Sequence, residues 1–301
     1  MVLAQNYPSR AVRLLVPFPP GGPTDVVARM LSQRFTETLG EMAIVENRPG
    51  AGGNIGVQAA AKAPPDGHTI LVTTTSIAVN MTLSAKPGYD IAKDLVAVVN
   101  VASSPNMFVA NAAGARSLKE LIERSRKGGI VFGSAGTGTT PHLTAEYLFR
   151  NLAHLKTTHV PYKGAAPAVN AALGNEVPVV CVAMPTAVAH IRAGRLRGLA
   201  VTSRSRVAAL PEIPTVEEAG FPGFEDLTWV GVFVPAGTPV AIVARLNAEV
   251  NGFLSAPGTR ERLAALGFDP AGGSSAAFSA YLESEVVKWA RVVRETGAKI
   301  D

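Results

Sequence analysis

The chain has 301 residues, 47% of them apolar and 17% charged, a globular composition long enough for two full cores and unlike a disordered or fibrous chain. Its net charge of +5 is dispersed, and its 6% aromatics never interleave with a basic stripe, which argues against nucleic-acid binding. Cys181 is the single cysteine, lying in an apolar run that reads as buried and inert, so no disulfide forms within the chain, and no stretch reaches the ~18 apolar residues of a membrane span.

Taken in chain order, short apolar runs alternate with runs of helical period. Strands are predicted over 12–16, 43–46, 69–73, 96–101, 106–110, 131–133, 157–160, 179–182, 198–201 and 228–234. Helices are predicted over 24–39, 54–62, 118–126, 141–150, 165–173, 186–193, 216–219, 239–254, 259–266 and 275–296. In the first helix Val27, Met30, Leu31, Phe35 and Leu39 recur at three- and four-residue steps. This alternation predicts an α/β fold with mainly parallel sheets flanked by helices.

The opening Met1-Val2-Leu3-Ala4-Gln5-Asn6 is too short for a signal peptide and is read as the stub of one, with an added methionine. The first informative loop follows the first strand: Val16-Pro17-Phe18-Pro19-Pro20-Gly21-Gly22-Pro23-Thr24-Asp25. Its glycines let a ligand approach the backbone, and Pro23 presets the first helical turn. That arrangement leaves free amides at a helix N-terminus, where the dipole favours an anion. Asp25, three residues past a Gly22 cap, either bonds back to a loop amide or meets the ligand; Thr24 carries the same two readings. Thr73-Thr74-Thr75-Ser76 sets hydroxyls at a strand's end, the edge where ligands of α/β sheets sit.

The second loop, Phe132-Gly133-Ser134-Ala135-Gly136-Thr137-Gly138-Thr139-Thr140-Pro141-His142, repeats the design of the first. Ser134, Thr137, Thr139 and Thr140 are expected to supply neutral hydroxyls, with Thr139 or Thr140 capping the helix. His142 has a cap or surface role as its ordinary reading. Val160-Pro161-Tyr162-Lys163-Gly164 is a third strand-to-helix loop, and Lys163 would be the only cation close to the cleft. Pro235-Ala236-Gly237-Thr238-Pro239 is expected to start a helix with Thr238 as its N-cap.

The second α/β unit begins near Ser104 and ends near Phe224. The C-terminal helices have no sheet of their own, so they are expected to return to the first unit. The expected domains are 1–103 with 225–301, and 104–224, with a ligand cleft between them. Two chain crossings of that kind suit a hinge-closing binding protein.

Catalysis is not supported. The five histidines form no HExxH set, no P-loop lysine or G-x-S-x-G elbow occurs, and no local base marks Ser134 as a nucleophile. No metal or cofactor is expected. An enzyme using Ser134 or His142 remains the least favoured reading.

With these loops described, the chain resembles the Bug receptors, the periplasmic solute-binding proteins of tripartite tricarboxylate transporters. The resemblance rests on Tyr7-Pro8-Ser9-Arg10, the whole first loop, and Val45-Glu46-Asn47-Arg48-Pro49-Gly50-Ala51-Gly52-Gly53-Asn54-Ile55-Gly56. It continues through Ala63-Pro64-Pro65-Asp66-Gly67, Gly133 to Thr139 with His142-Leu143, and His159-Val160-Pro161-Tyr162-Lys163-Gly164. Ile191-Arg192-Ala193-Gly194 and Leu210-Pro211-Glu212-Ile213-Pro214-Thr215-Val216-Glu217-Glu218-Ala219-Gly220 complete it.

The resemblance implies a two-domain Venus-flytrap fold, a periplasmic location and no enzymatic activity. It implies a small organic carboxylate between the first two loops, held by backbone amides and bridging waters. Carried over by position, Gly22, Thr24 and Asp25 line one side, and Ser134, Thr137, Gly138, Thr139 and Lys163 the other. Phe18, Gly21, Ser76 and His142 complete the candidate contacts. Where similar proteins commonly carry Phe-Asp or a related polar pair, this chain reads Cys181-Val182-Ala183-Met184-Pro185-Thr186. The missing acid disfavours a ligand ammonium and points to a dicarboxylate or an aromatic carboxylate. The implied partners are the permease subunits of such a transporter or, alternatively, a sensor kinase; the chain is expected to act as a monomer.

Overall fold

The computed structural model describes residues 7–298, so the signal-peptide stub read at Met1–Asn6 lies outside the described residues. Ten strands run in chain order: β1 (Val12–Val16), β2 (Ala43–Asn47), β3 (Thr69–Thr74), β4 (Leu95–Asn111), β5 (Ile130–Ser134), β6 (Thr157–Pro161), β7 (Val179–Ala183), β8 (Leu196–Val201), β9 (Leu227–Pro235) and β10 (Asp269–Pro270). The helices are α1 (Pro23–Leu39), α2 (Asn54–Ala61), α3 (Ser76–Leu83), α4 (Ile91–Asp94), α5 (Leu118–Ser125), α6 (Thr140–Glu146), α7 (Ala165–Leu173), α8 (Val188–Arg192), α9 (Val240–Ser255), α10 (Thr259–Ala265) and α11 (Ser275–Thr296). A π-helical segment, Tyr147–Leu152, extends α6.

The sheet path is β2-β1-β3-β9-β4-β7-β5-β6, with β8 and β10 also on β4. Two parallel triplets, β2-β1-β3 and β6-β5-β7, are joined through antiparallel β9 and β4. The parallel strands are covered on both faces, which is why β1, β3 and β7 read as nearly unbroken apolar runs. Around β2-β1-β3, Val27, Leu31 and Phe35 of α1 join Leu246 and Val250 of α9 on one face; Val57, Ile77, Leu282 and Trp289 gather on the other. Around β6-β5-β7, Leu121, Leu148 and Phe149 lie on one face and Ala168, Val169 and Val188 on the other.

Four expectations need correction. The separate strands at 96–101 and 106–110 are one 17-residue strand, β4. It pairs with β9 as far as Pro105↔Leu227, and from Asn106 onward with β7. Pro105 does not break it, because both of its flanks have partners. Second, residues 216–219 make turns rather than a helix. Glu218 accepts the Thr215 amide and donates its own amide to Thr215 Oγ1, a complete capping box, but Gly220 and Pro222 end the run after one turn. Third, residues 186–193 divide into a 3₁₀ turn, Met184–Thr186, and α8. Fourth, Thr238 does not cap α9; its hydroxyl donates to the Pro235 carbonyl, and Pro239 occupies the cap position.

The long helix α11 packs on α3 and β4 and also reaches α6. It is fastened to β9 by buried Glu285, whose Oε2 accepts the indole N–H of both Trp229 (3.0 Å) and Trp289 (3.1 Å). Trp229 also accepts at its carbonyl from Thr75 and donates its amide to Thr75 Oγ1, so the same strand is tied to the end of β3.

Candidate functional site

The first loop leaves β1 and enters α1 with extended Gly22 as N-cap and Pro23 in the first turn; no side chain caps the helix. Asp25 is fully engaged by the protein. Its Oδ2 accepts from the Gly21 amide at 3.0 Å and from Arg29 Nε at 2.9 Å, and its Oδ1 accepts from Arg29 Nη2 and Asn47 Nδ2. Burial by itself would raise its pKa, but the bonds from Arg29, Gly21 and Asn47 outweigh burial and hold it below the ordinary carboxylate range. Among the described residues, the amides of Gly22 and Thr24 meet no protein acceptor. Thr24 Oγ1 is buried without any partner.

The second loop leaves β5 and enters α6 with Thr139 at the cap position, again without a side-chain cap. The expectation that Thr139 or Thr140 bonds the first helical amides is therefore corrected. Thr139 donates its hydroxyl to the Gly136 carbonyl at 2.7 Å, and Thr140 Oγ1 lies 2.5 Å from Thr228 Oγ1.

Behind this loop stand two imidazoles. His159 Nε2 is 2.7 Å from Ser134 Oγ, and Ser134 Oγ accepts the Gly136 amide at 3.2 Å. His142 stacks on His159 with ring centroids 4.1 Å apart, its Nδ1 facing the Gly138 amide at 3.5 Å. Burial, reinforced by Arg150, pushes His142 down to about 4; burial and its stacked neighbour push His159 down to about 3. Both rings are neutral at pH 7.

Between the loops lies a narrow inner cleft of about 30 Å³. Phe18, Pro19, Gly22, Pro23 and Thr24 form one wall, and Thr74 and Ser76 at the end of β3 form its floor. Ala135, Thr139, Thr140 and Pro141 face them, with Ala165, Ala183 and Thr228 completing the lining. No charged side chain among the described residues lines it. The outer cleft shares Phe18, Pro19 and Ala135 and is bounded by the 49–53 loop, Thr137, Tyr162 and Lys163. The walls touch at its edge. A methyl group at Gly164 would stand 2.9 Å from Pro19, and one at Gly52 would stand 2.6 Å from the Thr137 carbonyl.

Of the residues singled out by sequence, Phe18, Gly22, Thr24, Ser76 and Thr139 line the inner cleft, and Thr137 and exposed Lys163 line the outer one. Gly21 and Asp25 brace the first loop, and Ser134 and Gly138 bond behind the second. His142 lines a separate crevice with Glu146, Arg150, Thr157 and His159. Sequence reasoning missed His159, Thr228, Asn106 and Asp226. Thr228 and Asp226 flank the start of β9 with nothing local to mark them, and His159 enters only as a strand residue and as the first residue of a segment that carries the resemblance.

The chain is similar over nearly its whole length to proteins of known structure. The chain is 35% identical to the periplasmic binding protein BugD (TM-score 0.92; 97% of this chain, 99% of that one). It is 34% identical to Rpa4515 of R. palustris, solved with adipate (TM-score 0.93; 98% and 100%). It is 31% identical to MatC (Rpa3494) of Rhodopseudomonas palustris, solved with malate (TM-score 0.89; 95% and 100%). Residues 27–298 match the tripartite tricarboxylate transporter family receptor domain.

The chain belongs to that receptor family. The Bug resemblance read from the loops holds over nearly its whole length, and with it the periplasmic-binding-protein fold. This receptor is a solute-binding protein and not an enzyme. No described helix of the receptor is long and apolar enough to cross a membrane.

Proposed function

We propose that this receptor captures a small organic carboxylate in the inner cleft, in the periplasm, and delivers it to the permease of a tripartite tricarboxylate-type transporter. The observation that carries the reading is the wall at α1: unpartnered amides at Gly22 and Thr24, and beside them a buried Thr24 hydroxyl without a partner. Such donors at a helix N-terminus hold an anion without a formal positive charge. The adipate and malate bound by relatives are small carboxylates. The absence of any acid in the lining disfavours an amino acid, because its buried ammonium would have no counter-charge. Phe18, Pro23, Pro141 and Ala165 suit an apolar body, and Lys163 at the mouth suits a second acid group. In this reading 1–103 with 225–301 and 104–224 are the two closing units, and the chain works as a monomer.

The test is thermal unfolding against C3–C8 diacids, citrate, benzoates and acidic amino acids. A ligand at one hundred times its dissociation constant stabilises by ~2.7 kcal/mol. A shift confined to one class of non-amino carboxylates is the expected result. Titration by aspartate or glutamate in preference to all others would overturn the ligand class.

A further inference from the structure

The hydroxyls that face the inner cleft do not direct their protons alike, and the cause lies behind its wall. Asp226, buried just ahead of β9, accepts at Oδ2 from Asn106 Nδ2 at 2.6 Å and from the Thr144 hydroxyl. Asn106 must turn its NH₂ toward that acid, so its Oδ1 faces the other way, where it meets Thr228 Oγ1 at 2.9 Å. An amide oxygen has no proton to give, so Thr228 donates. The proton in the 2.5 Å contact between Thr140 and Thr228 is then Thr140's. Each step follows from the one before, and the chain of donors ends on Asp226. Its side chains are all nine-tenths or more buried. Thr202 fixes the base of the network by donating to the Asp226 carbonyl at 2.5 Å and accepting the Asn106 amide at 2.8 Å.

Thr139 gives its proton to Gly136. Thr139, Thr140 and Thr228 therefore turn only lone pairs to the cleft. Thr24 and Ser76 are the reverse. Thr74 donates to Ser76 Oγ at 3.1 Å, and among the described residues neither the Ser76 proton nor Thr24 Oγ1 has a protein partner. Thr24 and Ser76 thus offer side-chain donors, and Thr139, Thr140 and Thr228 side-chain acceptors.

We infer that the inner cleft selects a hydroxy-carboxylate: the carboxylate lies toward Thr24 and Ser76, and a ligand hydroxyl donates to the Thr140–Thr228 pair. This rests on the carboxylate reading above. A ligand without a donor sets its own surface against buried lone pairs, which costs the bond those oxygens keep with water in the open protein. An ammonium would also donate, but Asp25 is saturated by Arg29 and Asn47 and Asp226 stands behind the wall, so no carboxylate is placed to pair with it. Thr140 and Thr228 are the specificity-determining residues. Asp226 and Asn106 are positioning residues that set the direction of their protons.

Calorimetry on the full chain with succinate, L- and D-malate and L-aspartate compares hydrogen, hydroxyl and ammonium on one four-carbon diacid. Butyrate and 3-hydroxybutyrate repeat the comparison without a second acid. The hydroxy member of at least one pair should bind about ten-fold more tightly than its parent, the size of one buried hydrogen bond, and aspartate no more tightly than succinate. Asp226→Ala should bring the hydroxy-to-parent ratio toward one. Asp226→Asn, whose amide oxygen still accepts from Asn106 and Thr144, should restore it. Thr140→Val gives an independent loss of the same ratio should Asp226→Ala fail to fold. General structural damage lowers both members of a pair and leaves the ratio alone. Equal binding of hydroxy and parent acids overturns this inference and leaves the carboxylate reading standing, and a preference for aspartate overturns it in favour of an ammonium. No binding by any member overturns this inference, and the carboxylate reading is then decided by the wider panel of diacids, citrate and benzoates.

Discussion

The two cleft loops share one plan of strand, glycines, proline and helix, yet they are braced by opposite chemistry. The first is held by a charge: Asp25 gathers Gly21, Arg29 and Asn47 around one ionised carboxylate. The second is held by neutral rings and hydroxyls: Ser134 on His159, and His142 stacked behind them. The difference teaches that a helix N-terminus can be shaped for an anion by an acid only if that acid is saturated and turned away from the site. Where no cation is available to saturate it, uncharged groups must do the bracing.

The largest effect should come from charging both cradles. Gly22→Asp with Thr139→Asp places a carboxylate in each wall and should weaken carboxylate binding more than ~100-fold by repulsion in a low-dielectric cleft. Near-normal affinity in calorimetry would place the site elsewhere.

Next come the braces themselves. Asp25→Ala removes the acceptor of four bonds and should destabilise the fold by ~2–3 kcal/mol in urea titration, whereas Ser134→Ala should cost ~1–2 kcal/mol. A larger loss at Ser134 would reverse the comparison.

Acid should also separate the two. His142 and His159 have folded pKa values near 4 and 3 against an ordinary 6.5, so the unfolded chain takes up their protons first. Their contribution is complete above about pH 6.5 and is lost as pH falls toward 4 and 3. Asp25 has a lowered pKa, so its contribution is complete above its ordinary value of 3.8 and is lost only below that. Asp226, pushed up to about 6 by burial against the pull of Lys288, Thr144 and Asn106, works in the opposite sense: its penalty grows from 3.8 to about 6 and is relieved by acid. His159→Gln should flatten the fall of the melting temperature between pH 6.5 and 4, the window set by the cited shifts. An unchanged slope would show that the imidazoles are not its source.

Thr24→Val should weaken carboxylate binding about ten-fold while leaving the free protein as stable or slightly more so, because it deletes a buried hydroxyl that has no partner. The smallest effect is expected at exposed Lys163: Lys163→Ala should lower affinity for diacids only a few-fold, and less at high salt.

Much of this was legible in the chain. Local periodicity placed α1, α7 and α11 well because their apolar spacing is a property of neighbouring residues. The two cleft loops announced themselves because glycine, proline and threonine act locally. β4 reads as two strands in the sequence because its continuity depends on β9 and β7, partners far away in sequence. The turn at 216–219 reads as a helix in the sequence because its capping box is genuine and only its length fails.

What the sequence by itself determined is therefore the set of cradles and their order along the chain, since backbone freedom, helix capping and apolar period are short-range effects. What only the tertiary structure decided is which way each cradle's polar groups point. Asp226, Asn106, Thr144 and Thr228 meet across more than a hundred residues, and Ser134 meets His159 across 25. A hydroxyl has one proton to give, and its direction depends on which acceptor the fold brings within reach.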